Sequence, residues 1–163
     1  MARSLTLPWE GDCIDAPFPY FGGKRIAASI IWEALGDVGN YIEPFAGSAA
    51  ALLCRPKSHH QHVETINDAN GYVANFWRAV KHDAEAVACH ADNPVNEADL
   101  TARHLWLVRY ESLTDRLMAD PEWYDAKAAG WWAWGLSCWI GSGWCSGNGP
   151  WVEKDGVLDR KST

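Results

Sequence analysis

The sequence has no long apolar run, no closely spaced pair of cysteines and no excess of positive charge. Its apolar stretches fall far short of the roughly 20 residues that a membrane helix needs, and the run before Pro8 is too short for a secretory signal. The five cysteines show no CxxC spacing, so neither a disulfide framework nor a structural zinc site is expected. We expect a soluble, cytoplasmic protein with reduced cysteines and no bound metal.

The charge balance restricts how this chain could bind a polyanion. Fourteen Lys and Arg residues stand against 21 Asp and Glu residues, which gives a formal net charge of -7. This excludes a protein that coats nucleic acid through a uniformly basic surface, although a local basic face stays open. The length of 163 residues, 48% of them hydrophobic, suits a single globular domain.

The periodicity of apolar residues predicts an α/β part over residues 16–92. Short β-rich runs alternate there with helical runs, which is typical of βαβ units with a parallel sheet. In the first helix, Ile26, Ile30 and Ile31 recur at helical spacing and are expected to face the core. The predicted elements are a helix over 24–35, a strand over 40–45, a short helix over 48–53, a strand over 63–68 and a helix from 69 that buries Val73 and Phe76.

From about residue 93 the pattern is helical and rich in tryptophan. Asn96, with Asp99 three residues later, predicts an N-cap, and Asp120 followed by Pro121 predicts a second helix start. Helix is expected through about Trp139, followed by a loop over 141–150. The chain is therefore divided into an N-terminal segment over 1–15, the α/β part over 16–92 and a helical region over 93–163.

Seven of the eleven tryptophans lie in the last third of the chain. They could form a stacking platform for DNA bases or a tryptophan-rich core, and the helical spacing of Trp131 and Trp134 favours core for most of them. Trp144 and Trp151, set among glycines, are the candidates for contact with a ligand. The platform would comprise Trp131, Trp132, Trp134, Trp139 and Trp144.

A histidine-rich stretch permits three interpretations. His59, His60 and His62, with Arg55 and Lys57 beside them, could form a metal site, a phosphate-facing loop or a solvated loop. The solvated loop is favoured because no other feature of the sequence points to a metal.

The strand ending at Phe45 and the turn through Gly47 are typical of the first half of a nucleotide-binding βαβ unit. Asp68 follows 21 positions after Gly47, where a carboxylate can accept hydrogen bonds from ribose hydroxyls. Asp68 could instead cap the helix beginning near Ala69. The full GxGxxG pattern is absent, which disfavours a pyrophosphate ligand such as NAD and favours a nucleoside without phosphates, such as S-adenosylmethionine.

Three segments that follow one another along the chain are similar to those of a known family. They are PFPYFGGK over 17–24, YIEPFAGS over 41–48 and INDAN over 66–70. Over roughly residues 16–92 the chain resembles the Dam-like class of adenine-specific DNA methyltransferases of bacteria and their phages. The resemblance implies an α/β, Rossmann-like S-adenosylmethionine-dependent methyltransferase core, incomplete here, with an α-helical insertion. The implied activity is methyl transfer to the exocyclic amine of adenine in double-stranded DNA, in the cytoplasm of a bacterium or of a phage-infected host cell.

The resemblance also implies roles for individual residues. In the family the aromatic residue and the lysine of the first segment and the aspartate of the third contact S-adenosylmethionine, which implies this role for Tyr20, Lys24 and Asp68. The stretch from Glu43 to Gly47 matches the family's glycine motif, which lines the methionine part of the cofactor, and this adds Pro44, Phe45 and Gly47 to the implied site. Tyr20 could instead be a half-buried aromatic, but the intact Phe-Gly-Gly-Lys that follows it favours contact with the cofactor. Lys24 at a helix start would oppose the helix dipole and so favour a ligand carboxylate as its partner.

One departure from the family concerns catalysis. The Asp-Pro-Pro-Tyr tetrad that contacts the target amine does not occur in the sequence, and the nearest string, DPEW over 120–123, is predicted to begin a helix. No catalytic residue is therefore assigned. The chain is expected to be an N-terminal portion of such an enzyme, inactive alone and associated with a C-terminal catalytic portion or with itself. The alternative is a non-catalytic module that binds S-adenosylmethionine or DNA.

Overall fold

The computed structural model describes residues 13–36, 38–56, 62–140 and 143–145, and the backbone of two short strands at 151–154 and 157–160. The chain forms two compact units, Met1–Ala69 and Asn70–Thr163, where its length suggested one domain. The predicted functional boundaries at residues 15 and 92 stay predictions. Among the described residues, no helix has the length and apolarity required to cross a membrane.

The first unit combines helix and strand around a small parallel sheet. Helix α1 spans Ala28–Leu35, strand β1 Asn40–Glu43 and strand β2 Val63–Ile66, and one turn of 3-10 helix spans Leu52–Cys54. The strands pair in parallel, with Asn40 opposite Val63 and Glu43 opposite Ile66. The parallel pairing predicted from the alternation of strands and helices is thus confirmed for these two strands.

The buried side of α1 differs from the prediction. The helix begins at Ala28 rather than at residue 24, because residues 25–27 form a turn without a side-chain cap. Ile26 and Ile30 are 93% and 68% exposed, whereas Trp32 is 2% exposed. The indole of Trp32 fills the inward side, packs 4.7 Å from the Tyr41 ring and donates a hydrogen bond to the Ala51 carbonyl at 2.7 Å. A single large side chain therefore replaces the expected isoleucine face.

The segment after the glycine turn is also less helical than predicted. Residues 48–51 form turns, and only the 3-10 turn follows. Ala49 adopts a left-handed backbone with φ of 50°, which cannot continue a right-handed helix. The predicted helix over 48–53 is wrong for this reason.

A disulfide joins Cys13 to Cys54, so the expectation of uniformly reduced cysteines is wrong for this pair. The amide of Ile14 donates to the Leu53 carbonyl at 3.1 Å and lays the two segments side by side. Cys54 also belongs to the core with Trp32 and other apolar side chains. Because the two cysteines are 41 positions apart, no spacing rule reveals the pair.

The described residues of the second unit form four helices and an antiparallel hairpin. Helix α2 spans Gly71–Ala91, α3 Glu97–Val108, α4 Leu113–Ala119 and α5 Ala126–Cys138; strands β3 (Trp151–Lys154) and β4 (Val157–Arg160) pair with each other. The hairpin was not predicted from the sequence. Helix α2 has a non-helical residue at Asp83.

Of the two helix starts predicted for this unit, one is confirmed and the other is wrong. Asn96 caps α3 by accepting from the Asp99 amide at 2.8 Å, as predicted. Asp120 instead ends α4, and Asp125 caps α5. The guanidinium of Arg78 donates to the carbonyl of Leu117 in α4 and to the carbonyls of Asp120 and Trp123 in the connecting segment.

The core of the second unit forms where α2 packs against α5. Val73 and Phe76 are buried, as predicted. Asn75, with no exposed surface, donates to the Asp125 carbonyl and accepts from the Asp125 amide, both at 2.8 Å. This two-bond pair satisfies a fully buried amide side chain and joins α2 to the start of α5.

Of the five tryptophans of the predicted platform, three are buried, whereas Trp131 and Trp139 are only partly buried. Trp132 and Trp134 are buried, which confirms the core interpretation for them, and Trp144 is only 6% exposed. The prediction that Trp144 contacts a ligand is wrong, because its indole packs on the bare backbone of Gly135 and donates to the Trp132 carbonyl at 3.0 Å. The side chain of Trp151 lies outside the described residues.

His104 is buried within the same aromatic cluster. Its ring lies 4.9 Å from Trp139 and 5.1 Å from Trp144, and its Nδ1 is 3.8 Å from the Cys145 sulfur. Burial lowers the pKa of His104 below its usual 6.5. The folded protein therefore favours the neutral ring.

We expect acidification to destabilise the protein through His104. The unfolded chain binds a proton near pH 6.5, whereas the buried ring binds it only at lower pH, so the stability present above pH 6.5 is lost as the pH falls through the folded pKa. Urea midpoints should fall less with pH in His104→Phe than in the wild type. The exposed His82 supplies the control, since His82→Phe should keep the wild-type slope. An unchanged slope in His104→Phe would contradict the assignment.

Candidate functional site

The structure brings the predicted site residues together where β1 and β2 end. The carboxyl ends of parallel strands meet at one edge of a sheet, which is where α/β folds bind ligands. Two of these residues lie in the irregular segment before α1, three lie after β1, and one lies after β2. They are Tyr20, Lys24, Pro44, Phe45, Gly47 and Asp68.

A hydrogen bond between Gly47 and Asp68 joins the two strand ends. The Gly47 amide donates to Asp68 Oδ2 at 2.9 Å. The helix that follows β2 is capped by Asn70, which accepts from the Tyr72 amide. Asp68 is therefore not the helix cap, and its carboxylate faces the glycine turn instead.

Tyr20 lies directly over the glycine turn. Gly47 has a left-handed φ of 51°, and a Cβ built on it would stand 2.5 Å from Cδ1 of Tyr20. The tyrosine is held from its own side by Phe18, which is 3% exposed and packs edge-on at 6.0 Å. The turn therefore requires glycine both for its backbone angle and for the space that the ring occupies.

Lys24 contacts a buried carboxylate that the sequence interpretation did not assign. Its Nζ lies 2.9 Å from Glu43 Oε1 and also donates to the Phe45 carbonyl. Glu43 is 2% exposed, and neither of its carboxylate oxygens makes a hydrogen bond of good geometry with the described residues, so the Lys24 ammonium is its charge partner. The expectation that Lys24 stands at a helix start and opposes the helix dipole is wrong, because α1 begins four residues later at Ala28.

The position of Glu43 was detectable in the sequence. In β1, Tyr41 and Glu43 both face inward while Ile42 is exposed, and a carboxylate on the inward face of a strand requires a partner. Burial, followed by the charge of Glu43, raises the pKa of Tyr41 to about 12. The electrostatic centre of the site is thus Glu43 with Lys24, next to the Gly47–Asp68 bond.

Asn67 is a second residue that the sequence interpretation missed. Its side chain donates to the Pro44 carbonyl at 3.1 Å, its amide donates to the Glu43 carbonyl at 2.9 Å, and its carbonyl accepts from the Ala46 amide at 2.9 Å. These bonds extend the parallel pairing past the strands. They fix the turn between Glu43 and Gly47 and leave the Phe45 ring 76% exposed.

Of the residues named in the histidine-rich stretch, only Arg55 and His62 lie among the described residues. Lys57, His59 and His60 lie outside the described residues. Arg55 points inward, donating to Glu64 at 3.1 Å and to the Val38 carbonyl. Within the described ranges, no three His, Cys, Asp or Glu side chains come together in a way that could hold a metal ion.

Comparison with known protein families identifies the chain. A family model for D12 class N6 adenine-specific DNA methyltransferases matches residues 20–112, more than half of the sequence. The chain belongs to this family. The resemblance drawn from three short segments is thereby confirmed, and the match extends beyond the expected limit at residue 92 to residue 112, just past the end of α3. No curated protein and no solved structure matches the chain.

Membership of the D12 family supports a role in adenine methylation of DNA and implies S-adenosylmethionine as the methyl donor. The match begins at Tyr20 and includes Lys24, Gly47 and Asp68. The assignment of these side chains as cofactor ligands stays a prediction.

We expect Gly47→Ala to destabilise the protein by more than backbone strain alone. A left-handed backbone costs a non-glycine residue about 1–2 kcal/mol, and the new Cβ would also overlap Tyr20. Gly22→Ala is the control, since Gly22 has φ of 75° and nothing within 4 Å of its Cβ position. Urea denaturation should show the larger loss for Gly47→Ala, and Tyr20→Ala should remove the excess in the double variant. Equal losses at the two glycines would show that the ring does not lie over the turn.

Proposed function

We propose that this D12 chain binds S-adenosylmethionine at the edge formed by Tyr20, Lys24, Gly47 and Asp68. The parallel strands β1 and β2 would belong to a Rossmann-like core. The observation that carries the proposal is the Gly47–Asp68 hydrogen bond beneath the Tyr20 ring. It places a carboxylate, a close-approach glycine and an aromatic face around one strand edge.

The polar groups of the site match the ribose and the amino-acid part of S-adenosylmethionine. The Asp68 carboxylate can accept hydrogen bonds from ribose hydroxyls in addition to the Gly47 amide, because an ionised carboxylate has about four lone-pair sites. The Lys24 ammonium has three donors; it donates to the Phe45 carbonyl and is the charge partner of Glu43. A further donor can serve the carboxylate of the methionine part. Lys24 is 32% exposed, so a ligand can reach it.

The turn after β1 suits a ligand without phosphates. A pyrophosphate is bound by the amides at the N-terminus of an α-helix that follows the glycine turn. After Gly47 the described chain makes turns and a single 3-10 turn, Leu52–Cys54. This favours S-adenosylmethionine over a nicotinamide dinucleotide.

In this proposal, the function of this chain is to bind and orient the cofactor. Bound S-adenosylmethionine supplies an electrophilic methyl group. Asp68 and Lys24 would orient the two ends of the molecule, Glu43 would fix the Lys24 ammonium, and Tyr20 would shield the turn from water. The target adenine must leave the DNA stack to reach this position, and its amine must meet the methyl group in line at near-attack geometry.

The groups that act on the amine are not assigned to this chain. The sequence contains no Asp-Pro-Pro-Tyr. The first unit also exposes Phe21, Ile26, Ile30 and Ile42, although parallel sheets are normally covered on both faces. These exposed side chains support association with a catalytic portion or with a second copy. A module that binds S-adenosylmethionine without turnover is the second candidate function, and the missing tetrad favours it.

We expect S-adenosylmethionine, and not NAD, to bind the chain in isothermal titration. Asp68→Ala should weaken binding by about 1–3 kcal/mol, because polar groups of the ligand lose their partner. Glu33→Ala removes the same charge from an exposed position on α1 and should leave the affinity unchanged. Wild-type affinity in Asp68→Ala, or tighter binding of NAD, would refute the proposed site.

We expect the 163-residue chain to transfer no methyl group to DNA by itself. The lone pair of the adenine amine is delocalised into the ring, so catalysis needs preorganised acceptors against the amine protons, and proximity to the methyl group is not sufficient. The assay is transfer of labelled methyl from S-adenosylmethionine to adenine-containing duplex DNA. Robust turnover would show that other residues of this chain do the work of the tetrad.

A further inference from the structure

We propose that the Cys13–Cys54 disulfide is a redox switch that sets the affinity of the Tyr20–Gly47–Asp68 site for its ligand. The identity of the ligand as S-adenosylmethionine rests on the proposed function. The structural part of the inference, that the disulfide holds Tyr20 over Gly47, does not depend on it.

The position of the disulfide suggests this role. Cys13 precedes Tyr20 by seven positions, and Cys54 follows Gly47 by seven positions. The bond therefore closes a loop around the contact between the tyrosine ring and the glycine turn. Both halves of that contact are carried by segments that one covalent bond joins.

The segment that carries Tyr20 depends on tertiary contacts for its position. Residues 13–24 contain no helix and no strand. Besides the disulfide, the contacts of the segment include the Ile14–Leu53 backbone bond, the buried side chain of Phe18 and the Lys24–Glu43 pair. The pair of Arg25 with Asp15 is exposed and contributes little, and the disulfide is the covalent link that holds the start of the segment against Cys54.

The chemistry of switching follows from the unequal exposure of the two sulfurs. Cys54 is 5% exposed and Cys13 is half-buried, so a thiolate of a small dithiol attacks the Cys13 sulfur. Cys54 leaves as a thiolate and takes up a proton, and the second thiol of the reagent then breaks the mixed disulfide. The products are two protein thiols and the cyclic disulfide of the reagent. A small-molecule disulfide, as oxidant, restores the bond by the reverse exchange.

Reduction should weaken ligand binding without removing any ligand-contacting group. Two separate thiols do not stay at bonding distance, and the segment from 13 to 24 gains conformational freedom. Apparent affinity falls by the fraction of molecules whose site is assembled. An assembled fraction of about one tenth corresponds to roughly tenfold weaker binding.

The binding experiment compares the full chain in its air-oxidised and dithiol-reduced forms. Alkylation and intact mass should count three free cysteines before reduction, namely Cys89, Cys138 and Cys145, and five after it. S-adenosylmethionine should bind the reduced form roughly tenfold more weakly, and Cys13→Ser should bind weakly with or without reductant. Cys89→Ser, an exposed cysteine of the second unit, should behave as the wild type. Five free cysteines in the oxidised protein, or equal affinities of the two forms, would overturn the proposal.

Hydrogen exchange separates this inference from the proposed function. If neither form binds S-adenosylmethionine, the proposed function fails, and exchange of the wild-type chain decides the switch. Reduction should accelerate exchange of the Gly47 amide and of residues 14–24, while α5 keeps its protection. Unchanged exchange at Gly47 on reduction would overturn the switch whatever the ligand. This measurement also replaces the cysteine variants if they fail to fold.

Discussion

The hydrogen bond from the Gly47 amide to the Asp68 carboxylate is the constraint on which the candidate site depends. It connects the turn after β1 to the residue that follows β2, 21 positions later. The left-handed backbone of Gly47 aims the amide at Asp68, and the absence of a side chain lets Tyr20 lie against the turn. One residue thus meets a steric, a conformational and a hydrogen-bonding requirement, and no other amino acid meets all three.

The Glu43–Lys24 pair gives this arrangement its charge. A carboxylate with 2% exposure is costly to bury, and its ammonium partner at 2.9 Å offsets part of that cost. Buried ion pairs contribute little net stability compared with apolar side chains of similar volume. Their presence at a strand end, beside the Gly47 turn, is better explained by the need to hold the Lys24 ammonium at a defined place. Asn67 then fixes the backbone between the two features.

The sequence predicted those features that depend on local order along the chain. The parallel strands, the Asn96 cap and the grouping of Tyr20, Gly47 and Asp68 follow from short-range patterns and from family segments. The disulfide between Cys13 and Cys54 could not be predicted, because it depends on a tertiary contact across 41 positions.

Two other errors arose because a different residue fills the structural role that the sequence pattern assigned. Ile26 and Ile30 have the spacing of a buried face, but the single indole of Trp32 occupies the space. Asp120, followed by Pro121, was predicted to cap a helix, but Asp125 is the cap, and the distant Arg78 binds the Asp120 carbonyl.

Whether the Gly47–Asp68 edge is a cofactor site can be decided by observing the Gly47 amide during titration with S-adenosylhomocysteine, the demethylated product of the cofactor. Nitrogen–proton correlation spectra of the labelled chain would follow this resonance together with those of the second unit. We expect a saturable shift of the Gly47 resonance and of its neighbours in residues 44–48, while α5 resonances stay in place. A saturating ligand that shifts only resonances of the second unit, or none at all, would show that the cofactor does not bind at this edge.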